Sequence, residues 1–128
     1  MLLPKLKITP GPRAIIFFTL PEWNKAKEKF SMVKKENCLN VQFKYNDKGI
    51  ILGPLIGAPF LGIILEILKI LKIKEIIGLG WAGKLNPKVN IGDLIVPVKA
   101  YSLEGTSKMY FPKKKVFYPD KELSLIHI

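Results

Sequence analysis

The stretch Lys74-Glu-Ile-Ile-Gly-Leu-Gly-Trp-Ala-Gly83 is a short apolar run that ends in a bend containing two glycines. Such a run is typical of a strand buried on both faces, so we predict a strand over Lys74–Leu79. Ala14-Ile-Ile-Phe-Phe18 has the same character and predicts an earlier strand. Because a helix is predicted between them, the two strands should lie parallel in one sheet.

The segment between these strands, residues 49–73, is the most apolar part of the chain. We interpret this segment as a strand at 49–53, a turn that contains Gly57, and a helix from about Pro59 to Leu71. The apolar positions of that helix predict a buried face formed by Leu61, Ile64, Leu65, Leu68 and Leu71. The alternative is a small membrane-associated protein built around residues 49–73, because Gly49 to Leu65 carries no charge. The two prolines of this segment and the charges at 66, 69 and 72 argue against a membrane span.

Three further elements complete the predicted order. Thr19-Leu-Pro-Glu-Trp-Asn leads into a helix with Thr19 as N-cap, on which Trp23 and Ala26 recur at helical spacing. Residues 39–45 alternate apolar and polar side chains and could pair with 49–53 as a hairpin. Ile91-Gly-Asp-Leu-Ile-Val-Pro-Val98 reads as another strand. We therefore expect an α/β sheet covered by helices on both faces.

Sheets of this kind bind ligands beyond the carboxyl ends of their parallel strands. Three turns follow directly after predicted strands and should therefore lie at this edge: Thr19–Glu22, the turn with Gly57, and Gly80–Gly83. Glycine lets backbone N–H groups approach an anion or a sugar closely, which makes Gly80–Gly83 the leading candidate for a binding turn.

Composition narrows the function classes. The chain has 128 residues, enough for one domain, and a net charge of +11. A positive charge of this size is typical of proteins that bind nucleic acid. Such proteins contact bases and phosphates mainly through arginine, however, and Arg13 is the only arginine of this chain. We therefore expect a solvated lysine surface and no nucleic-acid partner. The single cysteine, Cys38, excludes a disulfide scaffold and a cysteine-cluster metal site, so no metal is expected. With no signal-like apolar stretch at the N-terminus, a cytoplasmic protein is the expectation.

Several motifs occur in the order found in one enzyme family. They are Gly57-Ala-Pro, the helix ending in Leu68-Lys-Ile-Leu, the stretch Lys74–Gly83, Ile91-Gly-Asp-Leu-Ile-Val-Pro, and Glu104-Gly-Thr-Ser-Lys-Met-Tyr-Phe-Pro112. Their succession over Ala14–Pro112 resembles the N-terminal half of the nucleoside phosphorylase/nucleosidase superfamily. The resemblance implies a three-layer α/β fold with a mixed, mainly parallel sheet. It also implies cleavage of the N-glycosidic bond of nucleosides, by phosphate or by water, without a further cofactor.

The resemblance also implies site residues. The turn formed by Gly80, Trp81, Ala82 and Gly83 would lie against phosphate and ribose; the alternative is a tight bend without a ligand. Trp81 could stack on a base or a ribose, or it could fill the end of the sheet. The residues expected beside the substrate are Gly57 and the segment Glu104, Gly105, Thr106 and Ser107. The alternative interpretation of Glu104 is a turn residue beside Gly105.

Glu22 would be the catalytic group. It stands after the first strand at the spacing where methylthioadenosine-type nucleosidases carry the glutamate that activates water, a role for which burial should raise its pKa. A first-turn glutamate favoured by the helix dipole is the alternative interpretation of the same residue.

The sequence departs from the family pattern at two positions that would contact phosphate. Gly78 stands where many of these phosphorylases carry an arginine, and Trp81 stands where a hydroxyl residue often follows the glycine. Phosphate as co-substrate therefore depends on Lys84 or Arg13 reaching the site.

Family members run to about twice this length, so we expect a partial domain over 1–123 followed by an abrupt tail, 124–128, which carries His127. As an incomplete fragment, the chain could be a catalytically inactive protein that binds a nucleoside or nucleotide or pairs with another subunit. A homo-oligomer is implied by resemblance.

Overall fold

The computed structural model describes residues 9–31 and 34–125, and the chain divides after Trp81 into two compact units. The first unit is a five-stranded sheet with two helices. Its elements are β1 (Arg13–Phe17), α1 (Leu20–Lys29), β2 (Lys34–Cys38), β3 (Val41–Tyr45), β4 (Ile50–Gly53), α2 (Ala58–Ile70) and β5 (Glu75–Leu79).

The sheet of the first unit is mixed, with the strand order β2-β3-β4-β1-β5. β1 lies at the centre of the parallel part and pairs with β4 on one side and β5 on the other. The predicted parallel pairing of the first strand with the Lys74–Leu79 strand is confirmed, as is the predicted hairpin, since β3 and β4 pair antiparallel. β2 was not predicted, because four of its five residues are exposed and polar and give no apolar signal.

Helices cover both faces of this sheet, because successive side chains of a strand point to opposite sides. On one face, Trp23 and Ala26 of α1 pack in a cluster with Phe17 and Ile51. On the other face, α2 packs its side chains against the alternate residues of the same strands, Ile16 and Leu52 among them. The predicted three-layer α/β fold is confirmed.

The buried side of α2 differs from the predicted one. Ile64, Ile67 and Leu68 are buried, whereas Leu65 is 40% exposed. The helix is apolar almost all round, so spacing alone could not show which stripe meets the sheet, and Leu65 was assigned wrongly. In the described parts of the chain, no helix has the length and apolar character needed to cross a membrane.

The second unit contains two short helices and a two-stranded ribbon. β6 (Ala100–Tyr101) pairs antiparallel with β7 (Val116–Phe117), and the helices are α3 (Gly105–Tyr110) and α4 (Lys121–Leu125). The strand predicted over Ile91–Val98 is wrong. Among the described residues, 9–31 and 34–125, no strand pairs with this segment. Its Ile91 and Leu94 are 99% and 79% exposed. Its Pro97 also has no N–H to donate to a neighbouring strand. His127 lies outside the described residues.

Candidate functional site

The carboxyl ends of β1, β4 and β5 meet at one edge of the sheet because the three strands are parallel. Two backbone hydrogen bonds hold the turns that follow them in place. Phe18 N–H donates to the carbonyl of Leu79 at 2.9 Å, and Leu55 N–H donates to the carbonyl of Phe17 at 3.0 Å. We call this edge, formed by residues 18–22, 54–57 and 80–81, the carboxyl edge.

Glu22 lies at the carboxyl edge in the first turn of α1, and both its carboxylate oxygens are hydrogen-bonded. The indole Nε1–H of Trp81 donates to Oε1 at 2.8 Å. The hydroxyl of Thr19 donates to Oε2. The pattern Thr19-Leu-Pro-Glu22 matches the S/T-x-x-E sequence of a capping box, the one local signal that could have suggested this contact. Instead of capping the backbone, the Thr19 hydroxyl bonds directly to the carboxylate.

These contacts set the charge of Glu22. The hydrogen bond from Thr19 has the largest effect and lowers the pKa of the carboxyl group below its ordinary value. Desolvation raises the pKa by less than Thr19 lowers it, and the hydrogen bond from Trp81 and the charge of Lys25 lower it further. The prediction of a pKa raised by burial is therefore not met, because hydrogen-bond donors to the charged form outweigh burial. Glu22 is a carboxylate that stays ionised near neutral pH.

Trp81 presents most of its ring to solvent, with 71% of its surface exposed, while its N–H is bound to Glu22. Gly80, just before it, lies against the Phe18 side chain, where an added Cβ would come 3.4 Å from Phe18 atoms. At Gly78 an added Cβ would come within 2.8 Å of Phe18 Cε2. The Phe18 ring thus occupies the space into which a side chain at position 78 would project.

Gly57 begins α2 at the same edge. It has φ = 93°, a left-handed conformation that favours glycine, and an added Cβ would meet no atom within 4 Å. No side chain caps the N-terminus of α2, so backbone N–H groups there are available to a ligand. This placement is compatible with the predicted position of Gly57 beside the substrate, which stays a prediction.

Arg13 lies at the other end of β1, where its Nε donates to Oε2 of Glu75 at 2.7 Å. Four residues of extended strand separate Arg13 from Phe17, or about 13 Å. A groove of about 400 Å³ lined by Arg13, Ile15, Phe30 and Lys48 lies at this amino-terminal end of the strands. Neither the arginine nor the groove belongs to the carboxyl edge, so Arg13 does not supply a phosphate contact there.

The remaining predicted site residues belong to the second unit. Ala82 and Gly83 are exposed and begin it. Glu104 is the N-cap of α3, where its two oxygens accept hydrogen bonds from the backbone N–H groups of Thr106 at 2.6 Å and Ser107 at 2.7 Å. The side chain of Ser107 has the largest effect on the pKa of Glu104 and, together with these backbone bonds, lowers it to about 2. The contacts explain Glu104 as a helix cap, and a role for residues 104–107 beside a substrate stays a prediction.

Across residues 9–31 and 34–125, no group of three or more histidine, cysteine, aspartate or glutamate side chains could hold a metal ion. Cys38 is buried as a small apolar residue, and burial raises the pKa of its thiol.

Comparison with known proteins shows a family match and a similar relative. The family model of the phosphorylase superfamily matches residues 20–125. The chain is also similar to the uridine phosphorylase of Thermococcus kodakarensis, with 40% identity over 73 residues. That match covers 55% of this chain and 25% of the relative, so only a quarter of the relative's length is represented. No solved structure matches the chain.

Proposed function

Since this chain belongs to the phosphorylase superfamily, we propose that it acts on nucleosides and cleaves the N-glycosidic bond between ribose and base at the carboxyl edge. Glu22 is the catalytic group in this proposal. The observation that carries it is the position of an ionised carboxylate at the shared end of β1 and β5, beside an exposed aromatic ring. The similarity to a uridine phosphorylase makes uridine the first substrate to test.

The groups at the carboxyl edge suit the two halves of a nucleoside. A base is a flat aromatic ring that stacks well on an indole, and the face of Trp81 is open to one. Ribose is rich in hydroxyl groups, which donate hydrogen bonds to a carboxylate such as Glu22 and accept them from backbone N–H groups such as those at the start of α2.

The charge of Glu22 suits the reaction as well. Cleavage of a glycosidic bond passes through a ribosyl group with oxocarbenium character, and a fixed negative charge nearby stabilises that positive charge. The lowered pKa keeps the charge present at neutral pH.

The test is release of free base from uridine, adenosine and other nucleosides by the purified 128-residue protein, with inorganic phosphate present and absent. We expect Glu22→Gln to abolish release, because the amide has no charge and cannot take a proton. Glu28→Gln on the same helix removes an equal charge from a residue with no part in the site and should leave release unchanged. Equal release by wild type and Glu22→Gln would contradict the role of Glu22.

A second function, binding of nucleosides without cleavage, is favoured by one observation. The hydrogen bonds from Thr19 and Trp81 make Glu22 a weaker base than an ordinary glutamate. In that case uridine quenches the tryptophan fluorescence of the protein and Trp81→Ala abolishes the quenching, while no free base forms in any condition.

A further inference from the structure

We propose that the groove at the amino-terminal end of β1 and β4 binds a small organic anion with a single carboxylate. Arg13 and Lys48 hold the carboxylate, and the apolar floor of the groove holds the body of the ligand. This inference is independent of the proposed function, because the groove lies at the end of the strands opposite the carboxyl edge.

The floor of the groove is apolar and lies on the sheet face against which α1 packs. Ile15 is on the same face of β1 as Phe17, which packs with α1, and it is paired with Ile51 of β4. α1 ends at Lys29, and the exposed side chain of Phe30 follows it at the side of the groove. An apolar ligand placed there would cover the solvent-accessible part of Ile15 and Phe30, which favours binding.

The charged groups that line the groove are cationic. Arg13 stands on the same face of β1 as Ile15, and its exposed guanidinium donates from Nε to Oε2 of Glu75 at 2.7 Å. The terminal nitrogens of the guanidinium carry further N–H groups, whose fork geometry matches that of a carboxylate. Lys48 adds a second positive charge from the turn before β4.

Hydrogen bonds hold the turn that carries Lys48 in place. The side-chain oxygen of Asn46 accepts from the backbone N–H groups of Lys48 at 2.9 Å and of Gly49 at 3.1 Å. The Asn46 carbonyl accepts from the N–H of Gly11 at 3.0 Å, which connects the turn to the segment before β1. The backbone of Lys48 is thus fixed relative to that of Arg13, so an anion can bind with little ordering of the backbone.

Charge and size define the class of ligand. Arg13 and Lys48 are positive and Glu75, bonded to Arg13, is negative, so one positive charge is left to balance one negative charge on a ligand. A doubly charged phosphate monoester would be balanced only in part. The volume of about 400 Å³ is near the lower end for ligand pockets. A single aromatic ring or a short alkyl chain that carries one carboxylate satisfies both limits.

The test uses phenylacetate as the probe and follows the backbone amides of the 128-residue protein by proton–nitrogen NMR. We expect saturable shifts of the amides of Ile15, Ser31 and Gly49, which line the groove, with a Kd on the order of 1 mM or tighter. Phenylacetamide lacks the charge and acetate lacks the ring, so each should bind at least roughly 10-fold more weakly.

Variants of the ion pair distinguish ligand binding from a structural role. Arg13→Gln should weaken binding of phenylacetate roughly 10- to 100-fold, the effect of losing a hydrogen bond to a charged group. Glu75→Gln leaves Arg13 in place and removes the carboxylate that competes with the ligand, so binding should tighten. If the ion pair were only structural, both substitutions would weaken binding. The pair is exposed, so neither substitution should unfold the protein, and the same spectra show whether the fold is kept.

Lys69→Gln is the matched control for charge. It removes one positive charge from α2, which packs on the opposite face of the sheet, and should leave the Kd unchanged. Equal Kd values in wild type and Arg13→Gln would overturn the proposal, as would weaker binding in Glu75→Gln or equal binding of phenylacetate and phenylacetamide. Shifts confined to the carboxyl edge would place the ligand elsewhere and overturn it too. Tighter binding of phenyl phosphate than of phenylacetate would contradict the choice of a singly charged ligand.

Discussion

The indole nitrogen of Trp81 donates a hydrogen bond of 2.8 Å to Oε1 of Glu22, although 59 residues separate the two in sequence. The contact joins the end of β5 to the start of α1. It depends on the parallel pairing of β1 with β5, in which Phe17 stands opposite Leu79 and the turns after both strands emerge side by side.

The first prediction concerns stability in acid. Because the pKa of Glu22 is lower in the folded protein than in the unfolded chain, ionised Glu22 stabilises the fold above its ordinary pKa of 4.5, and this contribution is lost as the pH falls through the folded-state value. Thr19→Val removes the hydrogen bond that lowers the pKa of Glu22 most, so it should raise that pKa. We therefore expect Thr19→Val to destabilise the protein at pH 7 and to approach wild type in acid, as measured by urea unfolding. A stability difference that does not change with pH would contradict this.

The second prediction concerns the cap of α3. Glu104 binds the N–H groups of Thr106 and Ser107, so Glu104→Ala should speed hydrogen exchange of those two amides. With the pKa of Glu104 at about 2 in the folded protein, protection in wild type should be complete above pH 4.5 and should decline as the pH falls toward 2. Glu122→Ala on α4 is the control and should leave both amides unchanged; equal exchange in wild type and Glu104→Ala would refute the cap.

The third prediction tests which side of α2 meets the sheet. Leu68 is fully buried, so Leu68→Ala should lower the free energy of unfolding by about 2–5 kcal/mol. Leu65 is 40% exposed on the same helix, and Leu65→Ala should cost less than about 1.5 kcal/mol. Denaturant unfolding of both variants measures the difference, and similar losses for the two would show that the helix is rotated from the position described.

The fourth prediction concerns the contact of Phe18 with Gly78. The Cβ added by Gly78→Ala would come 2.8 Å from the Phe18 ring, so the ring must move, at a cost of about 1–3 kcal/mol. Gly83→Ala adds the same atom where nothing lies within 4 Å and should be close to neutral. In the double variant Phe18→Leu with Gly78→Ala, most of the extra cost should disappear. Thermal unfolding is measured for the wild type, Gly78→Ala, Gly83→Ala, Phe18→Leu and the double variant. Additive effects of Phe18→Leu and Gly78→Ala would rule out the contact.

Local patterns were sufficient to predict most of the first unit. β1 and β5 are apolar runs bounded by turns, and residues 41–45 alternate toward a buried face; burial imposes these patterns directly on the sequence. Glu22 and Trp81 could each be identified as candidates because a chemically distinctive residue follows a predicted strand. The same rules failed for Ile91–Val98, where an apolar run does not show whether a partner strand lies beside it.

The contacts that set the chemistry arose only in the folded chain. The sequence predicted a carboxylate and an aromatic ring in two turns, but strand register brought the Trp81 N–H onto Glu22. The Thr19 hydroxyl, with a smaller effect of this indole donor, lowers a pKa that burial was expected to raise. Likewise, Arg13 was a candidate phosphate ligand until β1 placed it at the far end of the strand. Where an element has one apolar face, as β3 does, apolar periodicity indicates which residues are buried, because burial acts on each side chain separately. Hydrogen bonds and charge depend on distances between residues far apart in the chain, which only tertiary packing determines.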